Sequence, residues 1–147
     1  MKNHNREKCF AVTDIKADAS ATTPLNFQVA APSTGRVRLV YEVSVEDGGY
    51  TSFVSSIAVD SAGSTLTAIC LDRNSDNTAS TVFSDNPTLT GVGSVKFRSL
   101  IATHNPTLNS EDIFGEIILE AGSHYLISFT PLTATCVAGV TAVVYEE

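Results

Sequence analysis

Residues Arg36–Glu46 read RVRLVYEVSVE. Val37, Leu39, Tyr41, Val43 and Val45 share one parity; Arg36, Arg38, Val40, Glu42, Ser44 and Glu46 share the other. Successive side chains of a strand point to opposite faces, so this alternation predicts one face in a core and one in water. That pattern belongs to an antiparallel sheet rather than to a parallel sheet buried on both faces. Asp47-Gly48-Gly49 then makes a turn, because glycine tolerates positive φ.

The same pattern recurs on both sides. Upstream, Phe27 and Val29 alternate with Asn26 and Gln28 in a strand at Asn26–Ala30, and Pro32 and Gly35 break the chain after it. Downstream, strands are predicted at Tyr50–Asp60 (bent at Ser55-Ser56), Thr65–Leu71, Ser80–Phe83, Gly93–Ala102, Gly115–Glu120, His124–Thr130 and Cys136–Tyr145. Between them lie corners rich in Asn, Asp, Ser and Pro: Asp72–Ala79, Asp85–Gly91 and Asn105–Asp112. The short turn Glu120-Ala121-Gly122-Ser123 predicts a hairpin between its flanking strands. Asn86-Pro87-Thr88-Leu89 recurs as Asn105-Pro106-Thr107-Leu108, two corners at which proline ends a strand and re-aims the chain. Strands at this spacing indicate an all-β sandwich or barrel.

Residues 1–25 show no period. They are read as an extended N-terminal arm, with at most a short strand at Cys9–Thr13, and residues 26–147 as the β domain. At 147 residues one domain with a real core is the natural count. The formal charge is −7, yet residues 1–25 carry four bases (Lys2, Arg6, Lys8, Lys16) against three acids. An acidic body argues against nucleic acid as a ligand, since phosphates need a basic face. No run of about 20 apolar residues offers a membrane span. The start, MKNHNREKCF, has no apolar signal region, so a cytosolic origin is expected. Cys9, Cys70 and Cys136 show no metal spacing and are read as reduced thiols; whether Cys70 and Cys136 approach each other stays open at this stage.

Catalytic vocabulary is thin. Gly91-Val92-Gly93-Ser94 is neither a nucleophile elbow nor a phosphate loop, because its spacing is wrong and a strand follows it. His4, His104 and His124 form no local metal pattern. Asp72, Asp76 and Asp85 suggest a Ca²⁺ loop only in part, since the central Gly and closing Glu of an EF-hand loop are missing. No pair among the body's acids is singled out for glycoside hydrolysis. A carbohydrate-binding sandwich is the best binding-module rival, but the chain has no Trp and four Tyr, with Tyr41 on the core face. The expectation is a protein without enzymatic activity, catalytic residues, metal or cofactor.

The C-terminal half carries a further signal. Arg73-Asn74-Ser75-Asp76-Asn77-Thr78 leads through a strand to Asn86-Pro87-Thr88. Gly122-Ser123-His124-Tyr125-Leu126-Ile127-Ser128-Phe129-Thr130 follows, and a Val-rich strand closes on Tyr145-Glu146-Glu147. Over about half the chain this resembles small virion proteins of tailed bacteriophages, of the capsid decoration (cement, head-stabilising) type. The second NPTL copy stands where that group has a Gly-rich loop. The resemblance implies an antiparallel β-sandwich of the jelly-roll kind, often a homotrimer, on the outer surface of an icosahedral capsid. The partner would be the major capsid protein lattice, and the protein would be made in the host cytoplasm. On that reading the arm is the candidate capsid or subunit contact, through Arg6, Lys8, Cys9, Phe10 and Lys16.

Overall fold

The structure, a computed structural model, describes residues 8–102, 107–132 and 135–147. Within them run β1 (Cys9–Ala19), β2 (Leu25–Ala30), β3 (Val37–Val45), β4 (Gly49–Ser55), β5 (Ala58–Ser61), β6 (Ser64–Leu66) and β7 (Ile69–Cys70). Then come β8 (Val82–Asp85), β9 (Thr88–Gly91), β10 (Ser94–Ile101), β11 (Thr107–Asn109), α1 (Ser110–Phe114), β12 (Ile117–Leu119), β13 (His124–Pro131) and β14 (Cys136–Glu146).

These strands build two antiparallel sheets packed face to face. The first runs β11–β3–β14–β1–β7, with β12 continuing the β3 edge beyond β11; the second runs β10–β4–β13–β2–β8–β6. The alternation of β3 decides its orientation: Val37, Leu39, Tyr41, Val43 and Val45 are all buried, as the sequence predicts. They meet Phe27, Val29, Phe53, Phe83, Ile127 and Phe129 of the second sheet in a single apolar core. Tyr41 and Phe53 stack across the layers with centroids 5.9 Å apart, and Phe97 of the edge strand stacks on Phe53 at 5.2 Å. Such aromatic pairs add roughly 0.5–1.5 kcal/mol each beyond their buried area.

The predicted bend after β4 is real. Ser56 adopts φ 56°, a left-handed conformation that throws the chain out of the second sheet. The excursion forms β5, which pairs with β9 in a small ribbon. Through Ile57, with Val59 and Leu89 beside it, the ribbon packs on Val54 and Leu126 at the outer face of the second sheet.

Four expectations are corrected. The arm is not loose from Cys9 onward: β1 pairs with β14 from Cys9↔Tyr145 to Ala19↔Cys136, and with β7 on its other side. The body therefore begins at Cys9, not at Asn26. Phe10 and Val12 supply the reason, since both enter the core. The hairpin at Glu120–Ser123 does not form, because β12 pairs with β3 in the first sheet and β13 lies in the second. A hairpin would leave the space between β2 and β4 unfilled, and β13 fills it, hydrogen-bonded on both sides. The turn itself exists, with Ser123 N donating to Glu120 O at 3.2 Å. It is pinned across the gap where Gly122 N donates to Pro32 O at 2.8 Å.

The corner at Asn105–Asp112 contains β11 and the start of α1, while Asn105 and Pro106 lie outside the described residues. Asn109 caps α1 by accepting from Glu111 N at 2.9 Å. Ser110 Oγ accepts from Tyr41 N at 2.8 Å, serving a β3 amide that falls between β11 and β12. Finally, Thr65–Leu71 is two short strands in different sheets, β6 and β7, rather than one.

Candidate functional site

The two motif segments that stand far apart in the chain meet at one end of the sandwich. β14 runs the full length of the first sheet and delivers Glu146 beside the loop before β8. One carboxylate oxygen, Oε1, accepts from Thr81 N and from Thr81 Oγ1, both at 2.7 Å; Oε2 accepts from Ser80 N at 3.1 Å. Glu147 N donates to Arg36 O at 2.8 Å, and its carboxylate accepts from Arg38 Nε at 2.9 Å. Arg38 reaches Glu116 at 3.0 Å on its other side. The hydrogen bond to Glu116, then that to Glu147, holds the guanidinium further toward its charged form than usual. Inside the loop, Asp72 Oδ1 accepts from Asn74 N at 3.0 Å and Ser75 Oγ accepts from Asn77 N at 3.2 Å. These are turn-forming bonds. A cavity of about 480 Å³ lies between the two segments, with Lys8 and Thr34 opposite Asp76, Asn77, Glu146 and Glu147.

A second cavity of about 240 Å³ opens between the sheets where β1 leaves the core. Asp14, Lys16, Asp18 and Asp85 line it. Burial, and then the Asp85 carboxylate, raise the Asp14 carboxyl above the ordinary range; the Ile15 amide and Lys16 pull it partly back.

The predicted contact residues separate. Arg6 lies outside the described residues, as do His4 and His104. Lys8 is exposed, and Lys16 is half-buried with its ammonium 3.4 Å from Asp18. Cys9 and Phe10 are buried, so neither presents a side chain to a capsid. This is a correction to the arm reading, and its cause is the β1 register.

Among the described residues no three His, Cys, Asp or Glu side chains gather as metal ligands. His124 instead stands beside Gln28, with Nδ1 and Nε2 2.9 Å apart. The tyrosines are mostly spent: Tyr41 and Tyr125 are buried, and Tyr125 Oη accepts from Glu120 N at 2.7 Å. Cys9 and Cys136 are buried and Cys70 is half-buried, and no disulfide joins them. Cys70 lies opposite Phe10 and Cys136 opposite Ala19, nine residues apart along β1. That is roughly 30 Å, far beyond disulfide reach. Burial pushes the Cys136 thiol up, away from the reactive thiolate. No family model matches the chain, and no curated protein matches it.

Proposed function

We propose that this chain is a structural bacteriophage virion protein that decorates the outer surface of an assembled capsid. The observation that carries the proposal is the clasp between Glu146 and Ser80–Thr81. Glu146 belongs to the terminal YEE behind the resemblance, and its partners Ser80 and Thr81 directly follow the RNSDNT segment, so we read these residues as fasteners of one surface rather than as a reaction centre. The strand order supports the same reading. The path β2–β13–β4–β10 alternates in chain order with β1–β14–β3–β11, an interleaving we read as a jelly roll with an inserted excursion between β4 and β10.

The mechanism is clamping. Each copy, or each homo-oligomer, buries surface on neighbouring subunits of the major capsid protein lattice. It therefore binds the assembled shell better than free subunits, and binding to one state stabilises that state by mass action. Of the expected contact residues we assign the contact to Lys8, which is exposed, and to Lys16, which is half-buried beside Asp18.

Co-sedimentation with undecorated capsids, before and after shell expansion, tests the proposal. Saturable binding at a fixed ratio to capsid protein, confined to the expanded shell, is expected. Absence of binding to either shell would overturn it and bring forward glycan recognition by a phage tail or cell-surface module, which a glycan array measures directly.

A further inference from the structure

We propose that the open edge of β10, with the groove beside it, takes up an extended acidic segment of another protein as an added strand. The inference does not rest on the capsid reading, because it involves none of the clasp residues.

β10 bonds to β4 on one side and, among the described residues, to no strand on the other. In an antiparallel pair every second residue turns its N–H and C=O away from the partner, so this edge offers a row of unmade backbone hydrogen bonds. The outermost strands β6, β7, β11 and β12 are two or three residues long, which blunts them. β10 runs for eight. Its first half is guarded, because the register slips between Val95 and Phe97 in a bulge that bears Lys96. Bulges and edge lysines deter pairing. From Phe97 to Ile101 the register is regular, and this half is open.

A groove of about 300 Å³ follows the regular half, with Ser99 and Ile101 on β10 and Leu108, Asp112 and Ile113 across from them. Ile101 and Leu108 are buried, whereas Ile113 on α1 is 53% exposed. β1 is also open beyond its two pairs with β7, but Lys16 there is held by Asp18, and carboxylates line the hollow beside it.

Parity and charge select the occupant. Phe97 stacks on Phe53 in the core, so Ser99 and Ile101 face inward and Arg98 and Leu100 outward. In an added antiparallel strand, the residue opposite Ser99 enters the groove and the next one stands opposite Arg98. The groove suits an apolar side chain there. Arg98 and Lys96 are exposed, and among the described residues no carboxylate holds either of them. An acid opposite Arg98 is therefore favoured, and a base is repelled. The same rule disfavours a second copy. Two β10 strands paired about a two-fold axis at Phe97 set Arg98 against Lys96, and at Arg98 they set it against itself. The fitting occupant is a strand with an apolar residue followed directly by an acidic one. Main-chain bonds supply its affinity and the groove its specificity.

The test is an isotope-edited NMR titration of the full chain with a synthetic peptide of alternating Thr and Val that carries Ile and then Glu at its centre. Saturable shifts at the amides of Phe97–Ile101 and Ile113 are expected. Replacing the peptide's Glu by Lys should weaken binding at least about fivefold, and Arg98→Glu in the protein should reverse that preference. N-methylation of the peptide amides that face β10 should abolish binding. Ile113→Asp serves as a second probe and should weaken both peptides alike; circular dichroism establishes folding for each variant. Absence of saturable binding at about 1 mM peptide overturns the proposal. So does binding that maps away from β10, or that ignores the charge reversal in folded Arg98→Glu. Concentration-dependent shifts of the same amides without peptide would overturn it in favour of a second copy.

Discussion

Glu146 Oε1 accepts two hydrogen bonds from the same residue, the amide and the hydroxyl of Thr81, each at 2.7 Å. Thr81 is buried, so neither donor has ready access to water if the carboxylate is removed. Bonds to a charged acceptor contribute about 1.5–3 kcal/mol each, and leaving a buried donor unmade costs comparably.

Glu146→Ala should therefore destabilise the protein by about 2–4 kcal/mol, and Glu146→Gln by roughly half of that, since one oxygen remains to accept. Urea unfolding measures both. The midpoint should fall with little change in slope, because the surface exposed on unfolding is nearly the same. A loss below about 0.5 kcal/mol for the alanine variant, the level of an ordinary surface change, would show the clasp to be decorative.

Tyr41 is a core position with a misfit. Its ring stacks on Phe53, yet its hydroxyl is buried without a hydrogen-bond partner. Burial also drives its ionisation well above the ordinary phenol range. A buried polar group left unsatisfied costs about 1–3 kcal/mol. Tyr41→Phe keeps the stack and removes the cost, so a gain of about 1 kcal/mol is expected. With a chain of this size that is a rise of roughly 2–4 °C in Tm by calorimetry. A fall in Tm would mean that the hydroxyl is satisfied in solution.

The legibility of the fold follows from where each strand lies relative to the core. β3 could be read because every second residue enters the core along its whole length. β1 could not. Its inward parity runs Phe10, Val12, Asp14, Lys16, so the strand leaves the core in its second half, where polar groups point at the open end of the sandwich, and returns to it only at Ala19. Its outward parity is Ala11, Thr13, Ile15, Ala17, which supplies no charge to mark a wet face. The bend at Ser55-Ser56 was visible as paired small polar residues between apolar runs. The false hairpin at Glu120–Ser123 has sound turn chemistry, and only the vacancy between β2 and β4 decides which sheet β13 joins. α1 escapes the reading, which takes Asn105–Asp112 as a corner: Asn109 before Glu111 and Asp112 is a helix-start pattern, but one helical turn leaves no period to confirm it. The clasp was legible only as two motifs; that Glu146 grips Thr81 is a matter of register across 65 residues.

The Asp14 carboxyl gives a pH signature. Burial and then Asp85 raise its pKa in the folded state. Between the ordinary carboxylate value and the raised one, the folded protein holds the extra proton. Stability therefore falls as pH rises through that window. The favourable contribution is complete below the unfolded pKa and is lost above the folded one. Asp14→Asn should then be more stable than wild type at neutral pH, and the advantage should shrink to nothing as pH drops below the ordinary carboxylate range. Paired melting curves from pH 3 to 8 would show this convergence. An advantage that is independent of pH would assign it to packing instead.

Removal of residues 1–20 separates the arm reading from the strand reading. A loose arm could be cut away with the fold intact. β1, however, lies between β14 and β7 and contributes Phe10, Val12 and Ala19 to the core. Its loss exposes the edge of β14 along nine cross-strand pairs and uncovers the inner face of the second sheet. Full burial of a Phe or Val side chain stabilises by about 1.5–3 kcal/mol, and the ladder adds to that. The sum is comparable with the entire stability of a small domain, about 5–15 kcal/mol. The truncated chain should lack a cooperative thermal transition and should aggregate through the bared β14 edge. Lys8→Glu, which leaves β1 intact at an exposed position, should instead melt within about 0.5 kcal/mol of wild type. A truncated chain that melts cooperatively near the wild-type midpoint would restore the arm and remove β1 from the account of the core.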